Sequence, residues 1–322
     1  MSLFISCDKR IESFFNAIDD KDCKKLSKYL KNGFDINFYD PCYGTPLNRS
    51  TNNNSLDMVK FMLDNGSDIN LKHPLLNALY CQNVEIANYL INNGADLSVK
   101  DDKGSSIFHY VSYINDEFFI RKIINLYSES GDLSEINGIN KTKISPLEHA
   151  CELNNMLVAK ILIENGADVN FKGKTKLQSN ALICAIENNN YNLCKYLLDN
   201  GTDVNFGFPR KPINVASIIG NADILNLLID NGADVNLIDE SEKTPLMIAS
   251  FMGNEEIVEL LITSGANINE QNKEGFTAIL YSLNNQHQKV FEKLLSYGAD
   301  IFIKNDFGES VITEMMKKIF KK

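Results

Sequence analysis

The stretch TPLMIASFMGNEEIVELLITSGANIN, residues 244–269, carries the clearest structural signal of this chain. Thr244 can cap a helix with its hydroxyl, and Pro245 suits the first helical position because its missing N–H would be unpaired there. Apolar residues follow at helical spacing, Gly253 interrupts them, and a second apolar run ends near Gly265, which can adopt the left-handed conformation that stops a helix. Two helices this short cannot bury their apolar faces alone, so the stretch predicts similar pairs on both sides.

The same pattern recurs along the chain in register. In most copies a glycine lies 21 residues after the position of Thr244, whereas the distance from that glycine, or from the serine that replaces it in one copy, to the next copy varies between 7 and 17 residues. A constant length inside a pair and a variable length between pairs is typical of packed units joined by surface loops. The predicted helix pairs start near residues 12, 45, 73, 106, 145, 180, 211, 244 and 277, and a terminal cap occupies 310–322.

Several of these segments carry the signature of a known repeat family. They are TPLNRS at 45–50, SPLEHA at 145–150, TPLMIA at 244–249, NGTDVN at 200–205, and NGADVN at 165–170 and 231–236. The chain therefore resembles the ankyrin-repeat family, whose unit of roughly 33 residues is a β-turn finger followed by two helices. The resemblance implies an all-α ankyrin-repeat solenoid of about nine helix-turn-helix repeats plus a C-terminal half-repeat cap, in a single domain spanning residues 1–322.

Two departures from the pattern change the expected surface. The distance from the glycine to the next helix pair is 12 residues in five of the loops but only 7 from Gly66 to His73, which leaves little room for a finger. The fourth repeat lacks its glycine and is followed by a longer loop, up to Lys143, that is rich in Gly, Asn and Ser. We interpret this loop as an extended finger or a small kink in the stack, and not as a domain boundary.

The composition argues against several classes of function. A net charge of -10 disfavours a nucleic-acid surface, which normally shows a basic stripe. We expect no signal peptide, because the stretch MSLFISCDKR at residues 1–10 has too few apolar residues, and no membrane span, because no run approaches the roughly 18 apolar residues that one needs. Its seven cysteines are scattered without C-x-x-C spacing, which indicates neither disulfides nor a zinc site. We expect a cytoplasmic monomer without a cofactor or metal, and secretion into a host cell stays open.

Few residues suggest catalysis. His109 falls where the family signature places its histidine, and the resemblance implies a hydrogen bond to the finger backbone. His149 and Cys151 make a Cys–His nucleophile conceivable, but both would lie on one short helix without a third, orienting group. We interpret Cys184 and Cys194 as small apolar core residues. The repeats leave no residues for a catalytic domain, so the sequence does not indicate an enzyme.

The most informative positions are the two residues that follow the small residue of each first helix. The resemblance implies that this end of the helix faces a concave groove and contacts partners. Some repeats place large apolar or aromatic residues there, and two phenylalanines of one finger could extend the same patch; these candidate partner-binding residues are Tyr80, Tyr113, Ile114, Leu153, Ile218, Ile219, Phe251, Met252, Phe206 and Phe208. Such side chains suit the anchors of a binding groove, or they pack on each other between adjacent repeats.

The resemblance implies a non-enzymatic protein–protein interaction module that binds another protein on the groove formed by fingers and first helices. Two alternatives use the same array. One is a microbial effector that docks on a host protein, and the other is a regulatory or inhibitory subunit that docks on an enzyme. The fold alone does not identify the partner.

Overall fold

The computed structural model describes residues 9–129, 133–171, 180–207 and 209–320. Within these residues the chain forms helices and no β-strand, which confirms the predicted all-α solenoid class. The helices are short and follow one another in pairs. In chain order the helices are α1 (Lys9–Asp19), α2 (Cys23–Lys31), α3 (Pro46–Asn52), α4 (Leu56–Asp64), α5 (Pro74–Tyr80), α6 (Val84–Asn92), α7 (Ile107–Tyr110), α8 (Glu117–Glu129), α9 (Pro146–Glu152), α10 (Met156–Glu164), α11 (Ala181–Glu187), α12 (Tyr191–Asp199), α13 (Pro212–Ile219), α14 (Ala222–Asp230), α15 (Pro245–Met252), α16 (Glu255–Thr263), α17 (Ala278–Asn284), α18 (Gln288–Ser296) and α19 (Val311–Phe320).

The predicted start of each pair after the first is one residue before the first helix observed there. Thr244 Oγ1 accepts a hydrogen bond from the backbone N–H of Met247 at 3.2 Å, which is the predicted cap. Asn180 does the same for α11, where its Oδ1 accepts from Ile183 N at 2.7 Å. These bonds satisfy backbone donors that a helix leaves unpaired in its first turn, so the repeated polar residue fixes where each pair begins.

Neighbouring pairs pack side by side through their apolar faces. The first helices α11, α13, α15 and α17 contact one another in sequence, and the second helices α12, α14, α16 and α18 do likewise. Residues of the repeated motif line the shared core: Leu246 and Ala249 of α15 and Leu261 of α16 are fully buried. Each pair thus buries the face that it could not bury alone.

The contacts divide the chain into two compact units, which we call unit 1 and unit 2. Unit 1 comprises Met1–Pro146 and Leu157–Ala167, and unit 2 comprises Leu147–Met156 and Asp168–Lys322. Unit 1 therefore contains α1–α8 and most of α10, whereas unit 2 contains most of α9 together with α11–α19. A single domain spanning residues 1–322 stays a prediction.

Asparagine side chains connect consecutive pairs in a ladder of hydrogen bonds. In unit 2, Asn236 Nδ2 donates to the carbonyl oxygen of Gly265 at 3.3 Å, and Asn236 Oδ1 accepts from Asn267 N at 2.8 Å. The same paired contact is made by Asn37 in unit 1 and by Asn170 and Asn205 in unit 2. Each amide thereby satisfies backbone groups of the loop that follows the next second helix.

A second recurring residue shapes the fingers. An Asp or Asn lies five residues before the capping position and accepts hydrogen bonds from backbone N–H groups two to four residues further on. These residues are Asp40, Asp101, Asn140, Asp239, Asn272 and Asn305. Such Asx turns fix the finger without strand pairing, and one isolated β-bridge, between Asp40 and Gly44, is formed.

Gly253 ends α15 for two independent reasons. Its φ of 79° lies in the left-handed region, which residues with a Cβ adopt at a cost. A Cβ built on Gly253 would also lie 2.6 Å from His287 Nδ1. The imidazole is held there because its Nε2 donates to the carbonyl oxygen of Phe251 at 2.9 Å. The close approach of two neighbouring pairs therefore requires glycine at this position.

We expect Gly253→Ala to lower the free energy of unfolding by about 1–3 kcal/mol, because it combines left-handed strain with a steric overlap. The matched control is Gly265→Ala, where φ is 94° but no atom lies within 4 Å of the added Cβ. Urea unfolding followed by circular dichroism measures both. Equal losses in the two variants would show that the contact with His287 carries no energy.

We expect Asn236→Ala to destabilise the array by about 1–2 kcal/mol, because two hydrogen bonds between neighbouring pairs are lost. Asn231→Ala is the control, since Asn231 Nδ2 donates only to Leu227 O at the end of its own helix. Hydrogen exchange of the amides around residues 265–267 should rise in Asn236→Ala and not in the control. Unchanged exchange there would contradict the bridging role of the asparagine.

Candidate functional site

The predicted groove residues of unit 2 lie together at the ends of two packed first helices. Ile218 and Ile219 are the last residues of α13, and Phe251 and Met252 are the last residues of α15. The two helices contact each other, and Asn254 Nδ2, just after α15, donates to Ser217 O of α13. Each of the four side chains is 40–46% exposed. We call these four residues the first-helix patch.

Polar residues border the first-helix patch at the ends of the neighbouring first helices. Glu187 is the last residue of α11 and Asn188 comes directly after it. Asn284 is the last residue of α17 and Asn285 comes directly after it. The carboxylate of Glu187 forms an ion pair with Arg210, which precedes α13. A set of large apolar side chains inside a polar rim is the arrangement found at the centre of protein-binding surfaces.

Phe251 is held in place by an aromatic neighbour and a cation. Its ring meets that of Tyr281 edge to face with centroids 6.0 Å apart, and the ammonium of Lys243 lies 5.7 Å from the Phe251 centroid and 5.5 Å from that of Tyr281. Burial raises the pKa of the Tyr281 hydroxyl, and Glu274 and Asp239 raise it further, so the ring stays uncharged at neutral pH. The Tyr281 oxygen accepts a hydrogen bond from Asn272 Nδ2 at 3.0 Å. The exposed face of Phe251 is thus preorganised for contact.

The predicted residues of unit 1 form a cluster of tyrosines. Tyr80, the last residue of α5, is 59% exposed and meets the ring of Tyr113 edge to face at 5.1 Å. Tyr113 also lies 6.1 Å from Tyr110 between ring centroids. The Tyr110 hydroxyl donates to Asp101 Oδ2 at 2.9 Å, and burial followed by this contact raises the pKa of that hydroxyl. Tyr80, like Phe251, therefore packs against a neighbouring helix pair and is at the same time exposed to solvent.

Ile114 does not face a groove, and its prediction as an exposed contact residue is wrong. Its side chain is 1% exposed. The first helix of this pair, α7, stops at Tyr110 and continues as a 3₁₀ turn over Val111–Tyr113. Ile114 then adopts an extended backbone with ψ of 143°, which turns its side chain into the core before α8. Because a 3₁₀ turn is wound more tightly than an α-helix, the side chain of Ile114 points in a different direction from the one that the repeat pattern predicts.

The remaining predicted contact residues stand apart from the first-helix patch. Leu153, just after α9 in unit 2, is 41% exposed. Phe206 is half-buried in a finger, where its carbonyl oxygen accepts from Asn180 Nδ2 at 2.7 Å. Phe208 lies outside the described residues.

The sequence did not indicate that Lys243 and Tyr281 support Phe251, because their role depends on contact between adjacent helix pairs.

His109 has the structural role that the family resemblance implies. Its Nδ1 accepts from the backbone N–H of Ser106 at 3.1 Å, and its Nε2 donates to the carbonyl oxygen of Ile144 in the following finger at 3.0 Å. The histidine is 2% exposed and joins the start of α7 to the next finger. Both ring nitrogens are occupied, so this histidine is not available as a general base.

Cys151, the cysteine considered for catalysis, is a core residue. Cys151, Cys184 and Cys194 are all buried, as predicted for the last two, and form no disulfide within the described part of the chain. Burial raises the pKa of the Cys151 thiol well above its usual range and that of Cys194 to about 12. Because the thiolate is the nucleophile, a thiol with so high a pKa is unreactive at neutral pH.

Within the described ranges of the chain, no three His, Cys, Asp or Glu side chains lie close enough together to hold a metal ion. None of the helices there is long and apolar enough to cross a membrane.

Comparison with known proteins identifies the repeats. A family model described as ankyrin repeats (3 copies) matches the chain over residues 14–101, 107–207 and 213–305, which together cover most of its length. No curated protein matches the chain significantly.

We expect iodoacetamide to alkylate Cys23 and Cys42 rapidly in the native protein, because both are exposed, and to leave Cys151 and Cys194 unmodified until the chain unfolds. Mass spectrometry of peptides after a timed quench measures each site. His149→Ala should leave this pattern unchanged. Fast labelling of Cys151 that slows in His149→Ala would instead support a Cys–His nucleophile.

Proposed function

The chain belongs to the ankyrin-repeat family, whose repeats generally mediate protein–protein interaction, and on that premise we propose that it binds a partner protein through the first-helix patch. The observation that carries the proposal is the exposure of four large apolar side chains, Ile218, Ile219, Phe251 and Met252, on two packed helices. Contiguous exposed apolar groups with a polar rim mark interaction sites on proteins.

The energetics favour these residues as anchors. Full burial of a large apolar side chain contributes about 1.5–3 kcal/mol, so covering the exposed part of each contributes roughly 1 kcal/mol. Phe251 is already fixed by Tyr281 and Lys243, so a partner that covers it loses little side-chain entropy. The four residues together can offset a large part of the cost of association.

Charges beside the first-helix patch suggest which partner surface it fits. The finger before α15 carries Asp239, Glu240 and Glu242, and the last two are exposed. The whole chain has a net charge of -10. We propose that the partner presents apolar side chains flanked by basic ones, because opposite charges steer encounter and set orientation.

The two alternative functions, a microbial effector and a regulatory or inhibitory subunit, use the same binding surface and differ in the partner that it contacts. A microbial effector would present the first-helix patch to a host protein, and a regulatory or inhibitory subunit would present it to an enzyme. We propose binding without catalysis, by a monomer in the cytoplasm, where the exposed free thiols of Cys23, Cys42 and Cys81 would stay reduced. Identification of the partner decides between the alternatives.

The decisive variant replaces all four patch residues by glutamine, which keeps helix propensity and removes the apolar surface. We expect at least a tenfold loss of affinity, since loss of a single buried anchor commonly costs about 2 kcal/mol. Benzoylphenylalanine at position 251, photo-crosslinked in an extract of the source cells, identifies the partner. Calorimetry with that purified partner then measures the affinity.

The control carries Tyr191→Gln and Leu295→Gln, which remove similarly exposed apolar residues from the second helices α12 and α18. It should bind the partner as the unchanged protein does. If the patch variant keeps its helical circular dichroism signal and its affinity, the first-helix patch is not the binding site.

A further inference from the structure

The shortened connection between α4 and α5 leaves a gap in the row of fingers of unit 1. Lys72 and His73 both have φ of 59°, so the chain turns directly into α5 without forming a finger. The turn is held by Asn48 Nδ2, which donates to Lys72 O at 2.8 Å. The preceding finger contains the Asp40–Gly44 bridge, and the following one starts with the turn at Asp101.

A cavity of about 520 Å³ occupies this gap, and we call it the finger notch. Its walls come from the two flanking fingers, with Tyr43 on one side and Asp101 and Asp102 on the other. The first helices of the pairs on either side of the gap add Asn48, Asn52 and Asn77, and Tyr80 and Tyr110 also line the cavity, together with Lys72, His73 and Lys103. Its volume lies within the range of about 300–1,000 Å³ that ligand pockets occupy.

The chemistry of the finger notch suits a cation. Tyr80 is the most exposed of its aromatic residues, and the faces of tyrosine rings attract cations. Asp101 accepts one hydrogen bond at each carboxylate oxygen, from Ser105 N and from the Tyr110 hydroxyl, which leaves further lone pairs on both oxygens. Asp102 is exposed and forms no ion pair among the described residues.

The two lysines of the finger notch do not cancel this preference. Lys72 belongs to the lining, but its ammonium lies 4.9 Å from the ring centroid of Tyr39, a residue that does not line the cavity. Lys103 is exposed on the finger, where its backbone carbonyl accepts from Lys141 N. An anion would have to approach Asp101 and Asp102 on the same wall, and like charges disfavour that approach.

Two polar atoms of the lining residues lack a hydrogen-bond partner. Asn48 Oδ1 and His73 Nδ1 are buried and have no hydrogen-bond partner within the described part of the chain. Buried polar groups are nearly always paired in native proteins, so exceptions require an explanation such as a ligand or an ordered water.

We propose that the finger notch binds an arginine side chain of a partner protein, with its guanidinium between the tyrosine rings and the carboxylates of Asp101 and Asp102. Arginine fits better than lysine because its planar group stacks on aromatic rings and pairs with carboxylates at the same time. This site lies in unit 1, whereas the first-helix patch lies in unit 2, so each can be tested without the other.

The test uses the full chain with ring-labelled tyrosine and the capped peptide acetyl-Gly-Arg-Gly-amide as probe. We expect saturable shifts of the Tyr80 and Tyr110 ring signals in NMR spectra. The citrulline peptide, which has the same shape without the charge, should bind about threefold to tenfold more weakly. Equal binding of the citrulline peptide, or tighter binding of acetyl-Gly-Glu-Gly-amide, would overturn the proposal.

Variants locate the site. Asp102→Asn should weaken binding of the arginine peptide about threefold to fivefold, because one exposed carboxylate is lost. The matched control is Asp306→Asn, since Asp306 follows Asn305 in its finger as Asp102 follows Asp101. The control should bind normally, and equal affinities in the two variants would exclude a role for Asp102.

A second variant fills the finger notch without changing any of its residues. The five residues NKEGF of the finger at 272–276, inserted between Lys72 and His73, restore the 12-residue spacing that five other loops have and place the asparagine five residues before His73. We expect this insertion to abolish the shifts of Tyr80 and Tyr110 while the helical signal is kept. Undiminished binding in the folded insertion variant would place the arginine elsewhere. The glutamine variant of the first-helix patch should bind the arginine peptide normally, whatever its effect on the partner.

Discussion

Within each unit, the helix pairs depend on their neighbours to complete the burial of their apolar faces. The helices are mostly seven to nine residues long, which is too short for a helix to be stable alone in water. Their apolar faces are covered by the equivalent faces of their neighbours, as α15 is covered by α13 and α17. Asparagines such as Asn205 and Asn236 fix the spacing of that contact, because each amide bonds both to a carbonyl and to an N–H of the following loop.

Local chemistry made most of the fold predictable from the sequence. Capping needs a short polar side chain before the helix, so Thr244 and Asn180 predict the starts of their helices to within one residue. The asparagine ladder could not be predicted in the same way, although Asn37 and its equivalents recur in register. Its hydrogen bonds join residues about 30 positions apart, and their geometry depends on how far one pair is displaced from the next.

The candidate site was less predictable, because the exposure of a side chain depends on the local backbone conformation, which differs between repeats that share one sequence pattern. The pattern placed Phe251 and Met252 correctly at an exposed helix end, since α15 has the length that the motif implies. It failed at Ile114, where α7 tightens into a 3₁₀ turn. It also gave no indication that Lys243 lies over Phe251, because that contact joins a finger to the end of the following helix.

The missing finger shows that a repeat protein can acquire a concavity by deletion. The hydrogen bonds of Asn37 to Gly66 and Asp68, and of Asn70 to Asp96, continue on both sides of the short connection. The stacking register is therefore independent of finger length. Five residues can be lost or gained at this edge while the buried faces of α3, α5 and α7 stay in contact. Insertions and deletions in the fingers thus alter the shape of the surface, whereas substitutions at the helix ends alter its chemistry. The two kinds of change can therefore diversify the binding of partners separately.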